Sequence, residues 1–167
     1  MKKIKIVIVS GLLLCATSVY AQSMYADLGI GVLDTNKIDN QGVGPMARFG
    51  YLFSDPSNSL GIEVEANPMT VKTEDNNGNN HNDRDMAIVL GTYLVYSYQV
   101  GDSQFSLRPR IGVVFPNLGD NLYKDSGSFA YGLSALYKFN DDLSGYISYG
   151  SFGSSVNHVS VGISIGF

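Results

Sequence analysis

Very few side chains in this 167-residue chain are equipped for chemistry. His158 lies two residues before Ser160, a spacing that puts a base and a hydroxyl on one face of an extended strand. Such a pair becomes nucleophilic when a carboxylate orients the imidazole. No acidic residue follows Ser160, and the pair shares its face with Gly162 and Ser164, so a hydrogen-bonded filler of a polar interior is expected. The other histidine, His81, falls in the run Thr73 to Asp83, which is rich in the carboxylate and amide oxygens that hard cations take. A calcium loop needs Asp five positions before its glycine; here Thr73 stands five positions before Gly78. A solvated loop is expected there, with no metal and no cofactor.

The remaining chemistry is electrostatic. Arg48, Glu63, Glu65, Arg108 and Arg110 occupy alternate positions in segments whose other positions are largely apolar, with Asp27 and Lys138 on neighbouring segments. On a shared interior these charges form ion pairs; along an open channel they would line a path for ions. Pairs that plug a narrow interior are the expected arrangement.

These residues sit in short two-faced segments. Val159, Val161, Ile163, Ile165 and Phe167 alternate with His158, Ser160, Gly162, Ser164 and Gly166. A strand sends successive side chains to opposite faces, so this segment has one apolar face and one small polar face. Leu60 to Asn67, Phe105 to Val113, Tyr25 to Val32 and Met46 to Phe53 repeat the pattern. Tyr131, Leu133, Ala135 and Tyr137 form a sixth apolar row, and Ile147 with Tyr149 a weaker seventh. Met86 to Tyr98 is apolar on both faces, which predicts a strand without assigning its faces. Eight strands follow, at 24–33, 45–53, 59–68, 85–98, 104–115, 128–139, 144–152 and 157–167. Tight turns at 54–58, 100–103 and 140–143 alternate with polar segments at 34–43, 69–84 and 116–127 and a short connection at 153–156, the arrangement of an outer-membrane barrel.

Export is expected from the first residues. A basic start (Lys2, Lys3, Lys5), an apolar run from Ile6 to Leu14, and Val19-Tyr20-Ala21 together read as a signal peptide of residues 1–21, cleaved ahead of a barrel of residues 22–167. The apolar run is too short for a membrane helix, and Leu14 stands where a lipoprotein signal needs a small residue before Cys15. Cleavage would remove three of eleven basic residues and none of fifteen acidic ones, leaving 8 against 15, a net −7. A chain so acidic, without a basic cluster, is no nucleic-acid binder. It would also keep no cysteine and hence no disulfide or thiol nucleophile.

Which face meets water is settled by the polar one. A wetted sheet is normally rich in Lys, Glu and Thr, whereas this face is mostly Gly and Ser, suited to the crowded lumen of eight strands. The apolar rows carry no Arg or Lys, and Phe49, Tyr51, Phe53, Tyr93, Tyr96, Tyr98, Tyr137, Phe139, Tyr146 and Tyr149 suit an interfacial aromatic belt. The expected fold is all-β, an eight-stranded antiparallel up-and-down transmembrane barrel.

With Ala-Arg-Phe-Gly-Tyr-Leu-Phe (47–53), Leu-Gly-Ile-Glu-Val-Glu-Ala (60–66) and the final strand 159–167, the chain resembles the small outer-membrane β-barrel family, the OmpA transmembrane domain and OmpX/Ail type, often described as porin-family. The resemblance spans residues 22–167. It implies the cell outer membrane, contact with outer-membrane lipid and lipopolysaccharide, and recognition of the terminal aromatic Phe167 by the barrel assembly machinery. Unlike full-length OmpA proteins, the barrel is expected to carry no peptidoglycan-binding domain, an expectation that weakens a cell-wall-tethering role. The His-x-Ser spacing at 158–160 also resembles a lipid A deacylase barrel, whose pair faces lipid and precedes an acidic residue; neither holds for this pair. The functional expectation is a non-enzymatic envelope or surface-adhesion protein that meets a host surface ligand through its outer loops. The alternatives are a small pore for ions or small solutes and a lipid A-modifying enzyme.

Overall fold

The computed structural model describes residues 24–35, 42–72, 84–117, 127–153 and 156–167. The expected signal peptide and the 73–83 run read for calcium lie outside these residues. Eight strands form: β1 (Met24–Thr35), β2 (Gly42–Leu52), β3 (Asn58–Lys72), β4 (Arg84–Gln99), β5 (Phe105–Asn117), β6 (Ser128–Lys138), β7 (Leu143–Phe152) and β8 (Val156–Gly166). Each pairs antiparallel with the next, and β1 also pairs with β8, from Tyr25 opposite Gly166 to Thr35 opposite Val156, so the sheet closes into a barrel. Closure leaves no edge strand, which is what permits a sheet to cross hydrocarbon.

The ladders outrun the apolar alternation at one end. β2 begins at Gly42 rather than 45, β3 runs to Lys72 rather than 68, and β5 reaches Asn117 rather than 115. Backbone pairing needs no apolar side chains once its neighbours are in place, so the rims extend beyond the rows that hydrocarbon requires. The long connections are correspondingly shorter than the polar segments read from sequence.

The opposite end is held by three compact turns. Asp55 Oδ1 accepts from Ser57 N (2.8 Å) and Ser57 Oγ (2.6 Å) between β2 and β3. Between β4 and β5 Val100 N donates to Phe105 O (2.9 Å), and Gly101 takes φ +56, a left-handed conformation cheap only for glycine. Between β6 and β7 Asn140 Oδ1 accepts from Asp142 N (3.0 Å) and Leu143 N (2.8 Å). Carboxylate and amide side chains thus satisfy turn amides that the ladders leave over.

The exterior is apolar all the way round. Ile30 (60% exposed), Leu90, Ile111, Leu133, Ile147 and Val161 project from six different strands into the surroundings, a surface that water would not tolerate on a stable monomer. On β5 outward-facing Phe105 and Phe115 lie ten residues apart. At about 3.3 Å per residue and a strand tilt of about 40° that is about 25 Å along the axis, the height of a barrel's lipid-facing band. Aromatics crowd the turn end of this band, where Phe53, Tyr98, Phe105, Tyr137 and Phe139 are exposed and Tyr137 meets Phe105 and Phe139 edge-on. Two of the tyrosines expected in the belt do not belong to it. Tyr93 and Tyr146 are buried inside, because each shares the parity of inward-facing neighbours, Gly91 and Ser148.

β4, left unassigned by its two apolar faces, sends Ile88, Leu90, Leu94 and Tyr96 outward and Val89, Tyr93 and Val95 inward. The inward set packs with Tyr25, Leu33, Leu52, Val114, Ala130 and Phe152. The lumen therefore has an apolar lining of its own beside its polar groups.

Candidate functional site

Six charged side chains fill the middle of the lumen, all of them buried: Asp27, Arg48, Glu63, Glu65, Arg108 and Arg110. Their strands explain the meeting. β2 pairs Arg48 with Glu65 across the rung, and the inward parity of β1, β3 and β5 brings Asp27, Glu63, Arg108 and Arg110 to the same interior. Glu65 is the hub: its Oε2 lies 2.7 Å from both Arg48 Nε and Arg110 Nη1. Arg110 Nη1 also reaches Glu63 Oε1 at 3.1 Å, and Arg108 Nη1 reaches Asp27 Oδ2 at 3.3 Å. A longer contact of 3.7 Å from Arg48 Nη1 to Asp27 Oδ2 links the two groups. Three positive and three negative charges cancel, which is the condition for holding ions away from water without large penalty.

Neutral groups complete the layer. Arg48 Nη2 donates to Ser148 Oγ and Ser160 Oγ, both at 3.2 Å, and Arg110 Nη2 to Ser148 Oγ at 3.3 Å. Tyr25 OH donates to Glu63 Oε2 at 2.8 Å, and Asn67 Nδ2 to Glu65 Oε1 at 2.6 Å. Each arginine lies over a tyrosine ring: Arg108 over Tyr25 (3.7 Å), Arg110 over Tyr93 (4.9 Å) and Arg48 over Tyr146 (5.5 Å). Glycines make the room. A Cβ on Gly50 would lie 2.0 Å from the Tyr25 ring. The result is a bonded layer running from β1 across to β8 through β2, β3, β5 and β7.

The structure brings Arg48, Glu63, Glu65, Arg108 and Arg110 together and adds Asp27 to them. Lys138 is corrected: it sits half-exposed at the turn end and pairs with Asp141 at 2.9 Å, because the last residue of β6 lies beyond the lumen. Sequence reasoning missed Tyr25, Tyr93, Tyr146, Asn67 and Ser148. The one signal available for the tyrosines was shared parity with Asp27, Gly91 and Ser148.

His158 is fully buried, with its ring stacked on Phe152 (5.5 Å between centroids) and Nε2 lying where a Cβ on Gly31 would come within 2.3 Å. Ser160 Oγ accepts from Arg48, and no hydrogen bond among the described residues joins it to His158. Both residues are buried and face the lumen. Phe167 is exposed at the turn end, and its backbone N donates to Met24 O at 2.9 Å, tying the end of the sheet to its beginning. Below the charged layer a vestibule of about 370 Å³ opens at the turn end, lined by Arg108, Ser97, Gln99, Ser106, Ser144 and Ser164 among others.

No family model and no curated protein matches the chain. Solved structures do. The outer membrane protein OprG from Pseudomonas aeruginosa superposes with a TM-score of 0.64 at 14% identity, covering 88% of this chain and 96% of that one. Ail, the attachment invasion locus protein of Yersinia pestis, in complex with the heparin analogue sucrose octasulfate, gives 0.57 at 13% identity, covering 87% and 97%. A de novo designed transmembrane β-barrel gives 0.57 at 17% identity, covering 89% and 98%. What these likenesses carry is the fold. A closed eight-stranded barrel with a lipid-facing exterior is a protein of the outer-membrane class.

Proposed function

We propose that this barrel is a non-enzymatic outer-membrane envelope protein, plugged along its axis, that acts as a surface adhesin through its loop-end segments. One observation carries the reading. The six-charge layer lies across the lumen with each of its charges paired to an opposite one, so the barrel serves as an anchor and its work is done at the loop end. Charge narrows the ligand. By sequence, the segments that join β1 to β2, β3 to β4 and β5 to β6, with the strand ends beside them, carry Asp34, Asp39, Glu74, Asp75, Asp83, Asp85, Asp120 and Asp125 against Lys37, Lys72, Arg84 and Lys124. Ail is known in complex with a heparin analogue, a polyanion; connections of acidic composition favour a basic or neutral host surface ligand instead. Phe167 is proposed as the contact for the barrel assembly machinery, and lipopolysaccharide as the natural neighbour of the exterior.

The test is twofold. In a planar bilayer the wild-type protein stays electrically quiet and Arg110→Ala produces discrete steps. Replacing segment 69–84 abolishes adhesion of expressing cells while the unheated protein keeps the gel mobility of a folded barrel. The vestibule that reaches Arg108 favours one second reading, a small pore gated by the charged layer. Steady wild-type conductance that vanishes on altering Arg108 or Glu63 would put that reading first.

A further inference from the structure

The barrel wall is interrupted between β2 and β3. Val43 pairs with Thr70 and Ala47 with Ala66, but no pair forms at the three positions between them. The register sets Pro45 opposite Pro68 at the centre of this gap. Proline has no N–H, so neither strand can donate across the rung. The ladder between β4 and β5 has a shorter interruption, where Pro109 stands opposite Tyr96 and only one donor is missing. The other six ladders run unbroken. In hydrocarbon, backbone carbonyls without donors are costly, and the double-proline rung is where this wall is least held together.

Small side chains stand on one side of the gap and unpartnered polar atoms on the other. On the lipid side Pro45, Ala47, Ala66 and Pro68 form a shallow trench between the aliphatic walls of Leu28 and Ile30 on β1 and Ile88 and Leu90 on β4. Pro45 lies eight residues from Phe53, about 20 Å toward the loop end at the pitch and tilt given above, hence within the outer leaflet. On the lumen side Met46 and Asn67 back the gap, both buried. Asn67 Oδ1 has no hydrogen-bond partner, and around Glu65, which Asn67 bonds, neither do Arg48 Nη1, Arg110 Nε, Tyr93 OH or either ring nitrogen of His158. Donors predominate in this set. The three guanidiniums are already balanced by three carboxylates, so a guest that adds no charge fits best.

We propose that the β2–β3 gap is a lateral port for a single-chain amphiphile with an uncharged, acceptor-rich head, an acyl ester or amide. Its tail lies in the proline and alanine trench, and its head passes the parted rung to the donors around Glu65. The port goes beyond the adhesin reading and does not rest on it, since it is tested without loops or conductance. A monoacylglycerol carrying a diazirine beside its head group is the probe, with the protein in lipid nanodiscs. Photolysis is expected to label lumen-facing Met46 and Asn67, unlabelled monoacylglycerol to compete, and Pro45→Val/Pro68→Val to remove the lumen-side label. Labels confined to lipid-facing Pro45, Ala47, Ala66 and Pro68, or unchanged in the variant, would overturn the port. Should that variant not fold, amide exchange of the wild type decides. Faster exchange at Ala47 and Ala66, whose amides face each other on the rung beside the gap, than across β7–β8 supports an opening rung, and equal protection removes it.

Discussion

Leu133 and Ser134 are neighbours on β6 and live in different media. Leu133 projects outward near the middle of the lipid band, four residues from both Phe129 and Tyr137. Ser134 projects inward and donates to Ser148 Oγ at 3.0 Å. Outside, any apolar side chain of suitable size satisfies hydrocarbon, because the attraction has no direction. Inside, each polar atom depends on particular partners at particular distances, because a buried charge without its counterion is costly. The comparison teaches that the exterior tolerates exchange within a class and the lumen does not, although one backbone supplies both.

The largest break in that contrast is expected at the hub. Arg110→Met strands Glu63 and Glu65, which it holds at 3.1 and 2.7 Å. Losing one partner of a buried ion pair costs about 3–5 kcal/mol, to be read from urea unfolding in vesicles. Next is Leu133→Arg, a charge at the lipid midplane, expected to cost about 2–4 kcal/mol in the same assay, whereas Leu133→Ile should stay within about 1.5 kcal/mol. Third, removing both members of a pair sharpens the rule. Asp27→Asn with Arg108→Met should destabilise less than the two single changes summed, with a coupling of about 0.5–3 kcal/mol in a double-mutant cycle. Additive losses would mean that the lumen behaves like the exterior.

The smallest effect belongs to neither face. The Ser57 hydroxyl and amide hydrogen bonds hold the Asp55 carboxyl below the ordinary carboxylate range in its exposed turn. A lowered folded pKa means stability that is present above the unfolded value and lost as pH falls through the folded one. Asp55→Asn should therefore flatten a slight acid-side loss in thermal stability, by lowering the neutral-pH value slightly toward the acid one.

The fold was legible because lipid imposes period two without exception. Every outward row read from the sequence, from Leu28 and Ile30 to Val161 and Ile163, is exposed on the barrel. The lumen was legible only in part. Charges declare themselves by being rare, so Arg48 and Glu65 could be picked out, while Tyr93 and Tyr146 have an identity suited to either face. β4 had no polar row because its inward Val89 and Val95 line an apolar part of the lumen. The rung at Pro45 was out of reach altogether, since a gap is a property of register, and register depends on the partner strand.

Ring closure also has a kinetic consequence. Seven of the eight ladders join strands adjacent in sequence, and each can zip from its own connection. The eighth brings together Tyr25 and Gly166, 141 positions apart. Its chain-entropy cost falls due before any of its bonds form, so the last seam to shut is expected to govern how fast the whole cylinder matures. A peptide tether from Phe167 back to Met24, with new ends cut elsewhere, would move that slow step to a different pair of staves.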